Sequence, residues 1–180
     1  MPHELFQLAE ARQSARAADR LFRRERTRIR RRIPGAIIEH IGATAIRNFP
    51  TKGDLDIVVR VDTTSFTAAE RALARLYNRN TGSERTATFA SFKNDDTTPP
   101  LGVQLVAIGS AHDDFDLLRD QLRVSVSCRR TLARLKHRFR GRSMDRYRRA
   151  KSQAIEQIAK REPLATLLET RRSRSKPVKN

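Results

Sequence analysis

Two aspartates, Asp54 and Asp56, stand one residue apart in KGDLDIVVRV, at the head of an apolar run. Side chains alternate along a strand, so both carboxylates point to one face while Leu55 and Ile57 point to the other. A carboxylate pair beside a core is costly unless something neutralises it. Two rigidly held carboxylates suit a hard divalent cation such as Mg2+. Two such ions can clamp an in-line phosphoryl or nucleotidyl transfer. A dozen residues earlier, in EHIGATAI, lies Gly42. A glycine there lets backbone N–H groups approach a phosphate closely. Thr44 offers a hydroxyl donor, and Lys52 a point charge for a triphosphate.

These groups need a small sheet to hold them. Ala36–Ile41 reads as a short strand, and the β-branched run Leu55–Val61 as a second. Thr86–Lys93 alternates as a third, and Leu101–Ile108 is a fourth. Asn94–Pro100 is a turn between them. Glu4 to about Arg32 carries apolar residues at helical spacing and ends at Pro34-Gly35. Gly42 to Gly53 is loop, or loop leading into a short helix over Thr44–Asn48. Thr67–Tyr77 is an amphipathic helix with Ala68, Ala72, Leu73 and Leu76 inward. Beyond Asp113 the pattern is helical: Phe115–Ser127, Thr131–Phe139 stopped by Gly141, Ser143–Arg161, and a short Leu164–Thr170. The expected division is a core with its N-terminal helix over 1–110, a helical region packed on it over 111–170, and a basic disordered tail over 171–180.

The chain has 180 residues and a formal net charge of +18, most of it arginine. Arginine suits bidentate phosphate contact, so the charge points to a polyanionic partner, nucleic acid first. The competing reading is a compositional taste for Arg over Lys. Nucleic-acid contact predicts that the arginines of the first helix and of the C-terminal helices gather on one face. A single cysteine, Cys128, leaves no internal disulfide and fits a cytoplasmic protein. No apolar run approaches the ~20 residues of a membrane span. Cys128 has no His and Asp nearby in sequence to make it a nucleophile, and the four histidines have no zinc spacing.

EHIGATAI, KGDLDIVV, LLRDQLR, LARLK and YRRAKSQAIEQI, in that order, resemble the GrpB-like family of the polymerase-beta-type nucleotidyltransferase superfamily. The resemblance runs from Glu39 to about Ile158. It implies an α+β nucleotidyltransferase fold: a small mixed sheet, an N-terminal helix and a helical C-terminal region. It also implies Mg2+ (or Mn2+) held by Asp54 and Asp56, and an NTP held by Gly42, Ala43, Thr44 and Lys52. His40, Arg119, Asp120, Lys136, Tyr147 and Lys151 match family positions that support the site or meet an acceptor. Ala43 stands where the family has Ser, and Arg47-Asn48 where Pro-Gly is usual. Active superfamily enzymes add a third carboxylate from a later strand. Here that strand has Gln104, and Asp113 and Asp114 past its end are the candidates to substitute.

The implied activity is metal-dependent transfer of a nucleoside monophosphate from an NTP to an acceptor hydroxyl on RNA or tRNA, a protein or a small molecule. Two alternatives stay open. One is a catalytically degenerate nucleotide- or RNA-binding protein of the same fold. The other is a toxin-like nucleotidyltransferase acting on tRNA.

Overall fold

The run LDIVVRV makes an interior strand because its β-branched side chains pack well on both sides of a pleated sheet. A computed structural model of the chain describes residues 4–160 together with 164, 166, 167, 169 and 170. Five strands, β1 (Ile37–Ile41), β2 (Leu55–Val61), β3 (Asn78–Arg79), β4 (Phe89–Asn94) and β5 (Leu101–Ala107), form one sheet in the order β1-β2-β5-β4-β3. β2 runs parallel to β5 and antiparallel to β1; the other pairings are antiparallel. The α+β expectation therefore holds, with a mixed sheet. The two-residue β3 was absent from the sequence reading.

One face of the sheet is covered by α1 (Ala11–Arg32) and α2 (Phe66–Ala74). Leu55, Ile57 and Val59 of β2 meet Ile29 and Leu73 there, all without solvent exposure. Burying each such side chain contributes about 1.5–3 kcal/mol. On α2 the inward residues are Phe66, Ala69 and Leu73; Ala72, and Leu76 just past its end, are partly buried. Ala68 faces solvent instead, one position out of the expected phase.

The first helix starts at Ala11, not near Glu4. Glu10 caps it, accepting from the amides of Arg12 (2.9 Å) and Gln13. The residues before it are extended: Leu5 bridges to Ser143 and Ala9 to Thr51. Phe6 is wholly buried and stacks on Tyr147 at 3.8 Å between centroids. That distant partner gives Phe6 a place no helix would.

The second half of the chain gives α3 (Phe115–Val124), α4 (Val126–Phe139) and α5 (Met144–Ala159). Ser125 ends α3 and caps α4 through the Cys128 amide (3.3 Å), so α4 begins five residues earlier than its periodicity suggested. α3 to α5 pack through Leu122, Cys128, Leu132 and Ile158 onto Ile46 and Phe49, in the loop between β1 and β2. The basic tail lies outside the described residues. Among the described residues, no helix is long and apolar enough to cross a membrane.

Candidate functional site

Asp54 immediately precedes β2 and Asp56 is its second residue. Because Leu55 and Ile57 are drawn into the core beneath α1, Asp56 is turned to the opposite face. There it is paired laterally with Ile41 of β1 and Gly102 of β5. A Cβ on Gly42 would come 2.4 Å from one Asp56 carboxylate oxygen, and one on Gly102 2.9 Å from the other. The Asp56 carboxylate thus lies between two bare backbones. Gly42 has φ 74° and ψ −168°, a conformation essentially confined to glycine. Gly102 was missed in the sequence; its signal is a glycine inside the strand LGVQLVA.

Lysines surround the acids. Lys52 Nζ lies 2.8 Å from Asp54 Oδ2. Burial raises the Asp56 carboxyl above its ordinary range; Lys151 opposes this, Asp54 reinforces it, and Lys52 and Lys136 oppose it further. Among the described residues no donor hydrogen-bonds the Asp56 carboxylate. Lys136 is itself buried, its ammonium 5.5–6.0 Å from the ring centroids of Phe6, Phe49 and Tyr147. Burial brings its pKa down to about 8, Lys151 adds to the fall, and Asp56 and Asp54 resist it. Tyr147 is pushed up to about 12 by burial, with Asp56 and Asp54 adding to the rise. Tyr147 and Lys151, one helical turn apart on α5, share a face. The structure therefore gathers Lys52, Asp54, Asp56, Lys136, Tyr147 and Lys151 within electrostatic reach of one another.

The Gly42 turn continues as a single 3-10 turn over Ala43–Ala45. Thr44 Oγ1 donates to the Asp54 carbonyl (2.9 Å). Its one proton is thereby used, so it accepts from His40 Nε2–H at 2.9 Å. Burial drops His40 to about 4, which keeps this imidazole neutral. The Thr44 hydroxyl and His40 brace the turn from behind. The first amides of such a turn have no partner within it and are the groups left for a phosphate.

Arg119 and Asp120 act on the same strand end from α3. Arg119 forks onto Asp120 (2.8 and 2.9 Å), and also donates to the His40 carbonyl (3.0 Å) and Glu39 Oε1 (3.2 Å). Asp120 also takes Arg123 at 3.2 Å, and Arg123 donates to the Ala45 carbonyl. This network locks α3 over the turn.

The third-carboxylate candidates lie elsewhere. Arg60 NH2 donates to Asp113 Oδ2 (2.9 Å), its Nε holds the other oxygen, and the Gly109 amide donates to Asp113 as well. Arg60 is four residues past Asp56 on β2, about 13 Å away along the strand. Asp113 is therefore a partner of Arg60, and Asp114 sits beside it at that far end. On the face of Asp56, β5 presents Gln104, two residues after Gly102. Among the described residues no group of three or more His, Cys, Asp or Glu is placed to hold a metal. The donor set still fits one hard cation that completes its shell from a ligand's phosphates. Asp56 is a carboxylate without a donor, and Asp54 is half-exposed beside it.

Residues 12–161 match the family described as GrpB protein. The chain belongs to the GrpB family. A UPF0157 protein of Vibrio cholerae serotype O1 is 34% identical over 143 residues, covering 79% of this chain and 76% of that protein. The crystal structure of the conserved protein GrpB from Enterococcus faecalis superposes with a TM-score of 0.56 at 17% identity, over 79% of this chain and 94% of that one. This GrpB member thus shares its fold with that protein. The Cid1 poly(U) polymerase in its MgGTP-bound form gives a TM-score of 0.48 at 12% identity, over 72% of this chain and 43% of that one.

Parts of the two arginine-rich stretches line two grooves. Arg24, Arg28, Arg31 and Arg32 border a groove with Arg75, beyond α2. Arg138, Arg142 and Arg146 border another between α4 and α5.

Proposed function

We propose that this chain is a metal-dependent nucleotidyltransferase, moving a nucleoside monophosphate from an NTP to an acceptor hydroxyl. One observation carries the reading: the Asp56 carboxylate, boxed between Gly42 and Gly102 without a hydrogen-bond donor and with Asp54 beside it, is built to be completed by a cation. Asp54 and Asp56 would hold Mg2+ or Mn2+. The ion, when bound, supplies positive charge to the triphosphate and the departing pyrophosphate. Lys52, Lys136 and Lys151 offset the remaining phosphate charge, and the amides at Ala43 and Thr44 orient it. The acceptor oxygen bonds to the α-phosphorus, the bond to pyrophosphate breaks, and the hydroxyl proton passes to water. The arginine content favours RNA, tRNA included, as acceptor. A cytoplasmic setting and the division into a 1–110 core and a 111–170 cover belong to the same proposal.

Gln104 favours a second reading, a nucleotide-binding protein of this fold that does not turn over. Titration with MgATP, MgGTP, MgCTP and MgUTP, followed by assay of pyrophosphate release with an RNA pool, separates the two. Binding that is lost in Asp54→Asn and Asp56→Asn, with release, supports transfer. The same binding without release supports the second reading. Wild-type strength of Mg2+-dependent binding in both variants overturns the cation assignment. Asp56→Asn removes a desolvated charge, so it is expected to be as stable as the parent or about 1 kcal/mol more so.

A further inference from the structure

The groove between α1 and α2 lies on the sheet face opposite Asp56. Arg24, Arg28, Arg31 and Arg32 recur there at helical spacing and make one stripe, which Arg75 faces. The stripe is about 12 Å long at 1.5 Å per residue. That matches roughly three phosphates at the ~3.4 Å axial spacing of one duplex strand. Among the described residues, no carboxylate lines the groove.

Two of the guanidiniums, those of Arg24 and Arg28, are held in place from below. Glu25 is 2% exposed on the buried side of α1 and accepts from Tyr77 Oη–H at 2.7 Å. The same carboxylate takes Arg24 at 3.1 Å and Arg28 at 3.5 Å, and Arg28 lies 5.6 Å from the Tyr77 ring centroid. Arg24 and Arg28 keep their outer donors exposed while one buried anchor sets their direction. Elsewhere several arginines are spent on surface acids: Arg148 on Glu4 and Asp145, Arg85 on Glu70, and Arg23 on Asp19.

We propose that this groove binds the phosphodiester backbone of nucleic acid, at a surface separate from the Asp54–Asp56 site. Its lining is guanidinium with only Thr27 and Leu76 between, so it reads phosphates and not bases. Placed on the far side of the sheet, it holds a strand without covering the Asp54–Asp56 site. The assignment stands independently of the proposed transfer reaction.

The test uses the full chain and a labelled RNA duplex of about 20 base pairs, with a DNA duplex of the same sequence, titrated by anisotropy over a salt series. Arg31→Gln, Arg32→Gln and Arg75→Gln are combined, because these three lie outside the Glu25 anchor. A triple Arg138→Gln, Arg142→Gln, Arg146→Gln variant removes equal charge elsewhere. The groove variant is expected to lose at least ~10-fold in affinity at about 100 mM salt, with the log–log slope shallower by about 2–3. The control is expected to stay within about twofold. Arginine-to-lysine replacement at the groove positions should retain most of the slope. Arg75→Gln alone, off the helix, should lower it by about one. Either duplex bound through the groove supports the proposal. Unchanged binding in the groove variant, or equal losses in groove and control variants, overturns it. MgATP titration of the same variants keeps the two sites apart: it should be unaffected.

Discussion

At the scale of single residues, the site turns on what is missing from Gly42 and Gly102. Gly102→Ala places a methyl 2.9 Å from an Asp56 oxygen already confined by Gly42. We expect it to weaken Mg2+-dependent nucleotide binding at least ~10-fold while costing only about 1–2 kcal/mol of stability. Gly42→Ala, with a 2.4 Å approach and a backbone angle reserved for glycine, should cost about 2–3 kcal/mol. Urea unfolding of Gly102→Ala in an Asp56→Ala background checks the cause: the penalty should largely vanish once the carboxylate is gone. His40 makes a second test. The unfolded imidazole protonates near 6.5 and the folded one only at about 4. The folded chain binds fewer protons across that window, so His40's contribution is complete above 6.5 and is lost as pH falls towards 4. His40→Gln, measured by urea unfolding from pH 7 to 4, should show an acid slope shallower than the parent's.

At the scale of elements, Arg119 ties α3 to β1. Arg119 is 8% exposed and serves Asp120, Glu39 and the His40 carbonyl together. Arg119→Leu should cost about 2–3 kcal/mol, because half-buried acceptors lose their donor. Arg119→Lys should recover only part, since an ammonium cannot fork. The denaturation midpoint reads both. Elements of this kind divide by how local their cause is. β2 was legible over Leu55–Val61 because its β-branched run decides the matter within seven residues. Asp54, Asp56, Gly42 and Lys52 were legible from spacing along the same segment. Lys136, Tyr147 and Lys151 came only through family resemblance, since a helix face does not announce which carboxylate it will meet. Gly102 depends on parallel register between β2 and β5, and register is set by packing that no local window contains. The start of α1 departs from the periodicity for a similar reason: the segment before Glu10 is held extended by distant partners, Leu5 by Ser143, Ala9 by Thr51 and Phe6 by Tyr147.

At the scale of the whole molecule, +18 on 180 residues is a field as well as a composition. Self-repulsion opposes the folded state, and salt screens it. The melting temperature should therefore rise by about 3–6 °C between roughly 20 and 300 mM NaCl, followed by circular dichroism. A flat or falling curve would show that ion pairs such as Arg60–Asp113 outweigh the repulsion. The early extended segment has a consequence for the order of events during synthesis. Phe6 is translated well before α5, yet its ring forms one wall of the Lys136 enclosure together with Tyr147. Its backbone amide bonds to the Arg142 carbonyl. Until α5 has been translated, that wall lacks Tyr147, and the Lys136 ammonium is more open to water. A nascent chain carrying both aspartates, the glycine turn and α4 is thus expected to hold a lysine of ordinary basicity. The lowered value arrives with α5, when the segment around Phe6 is clasped.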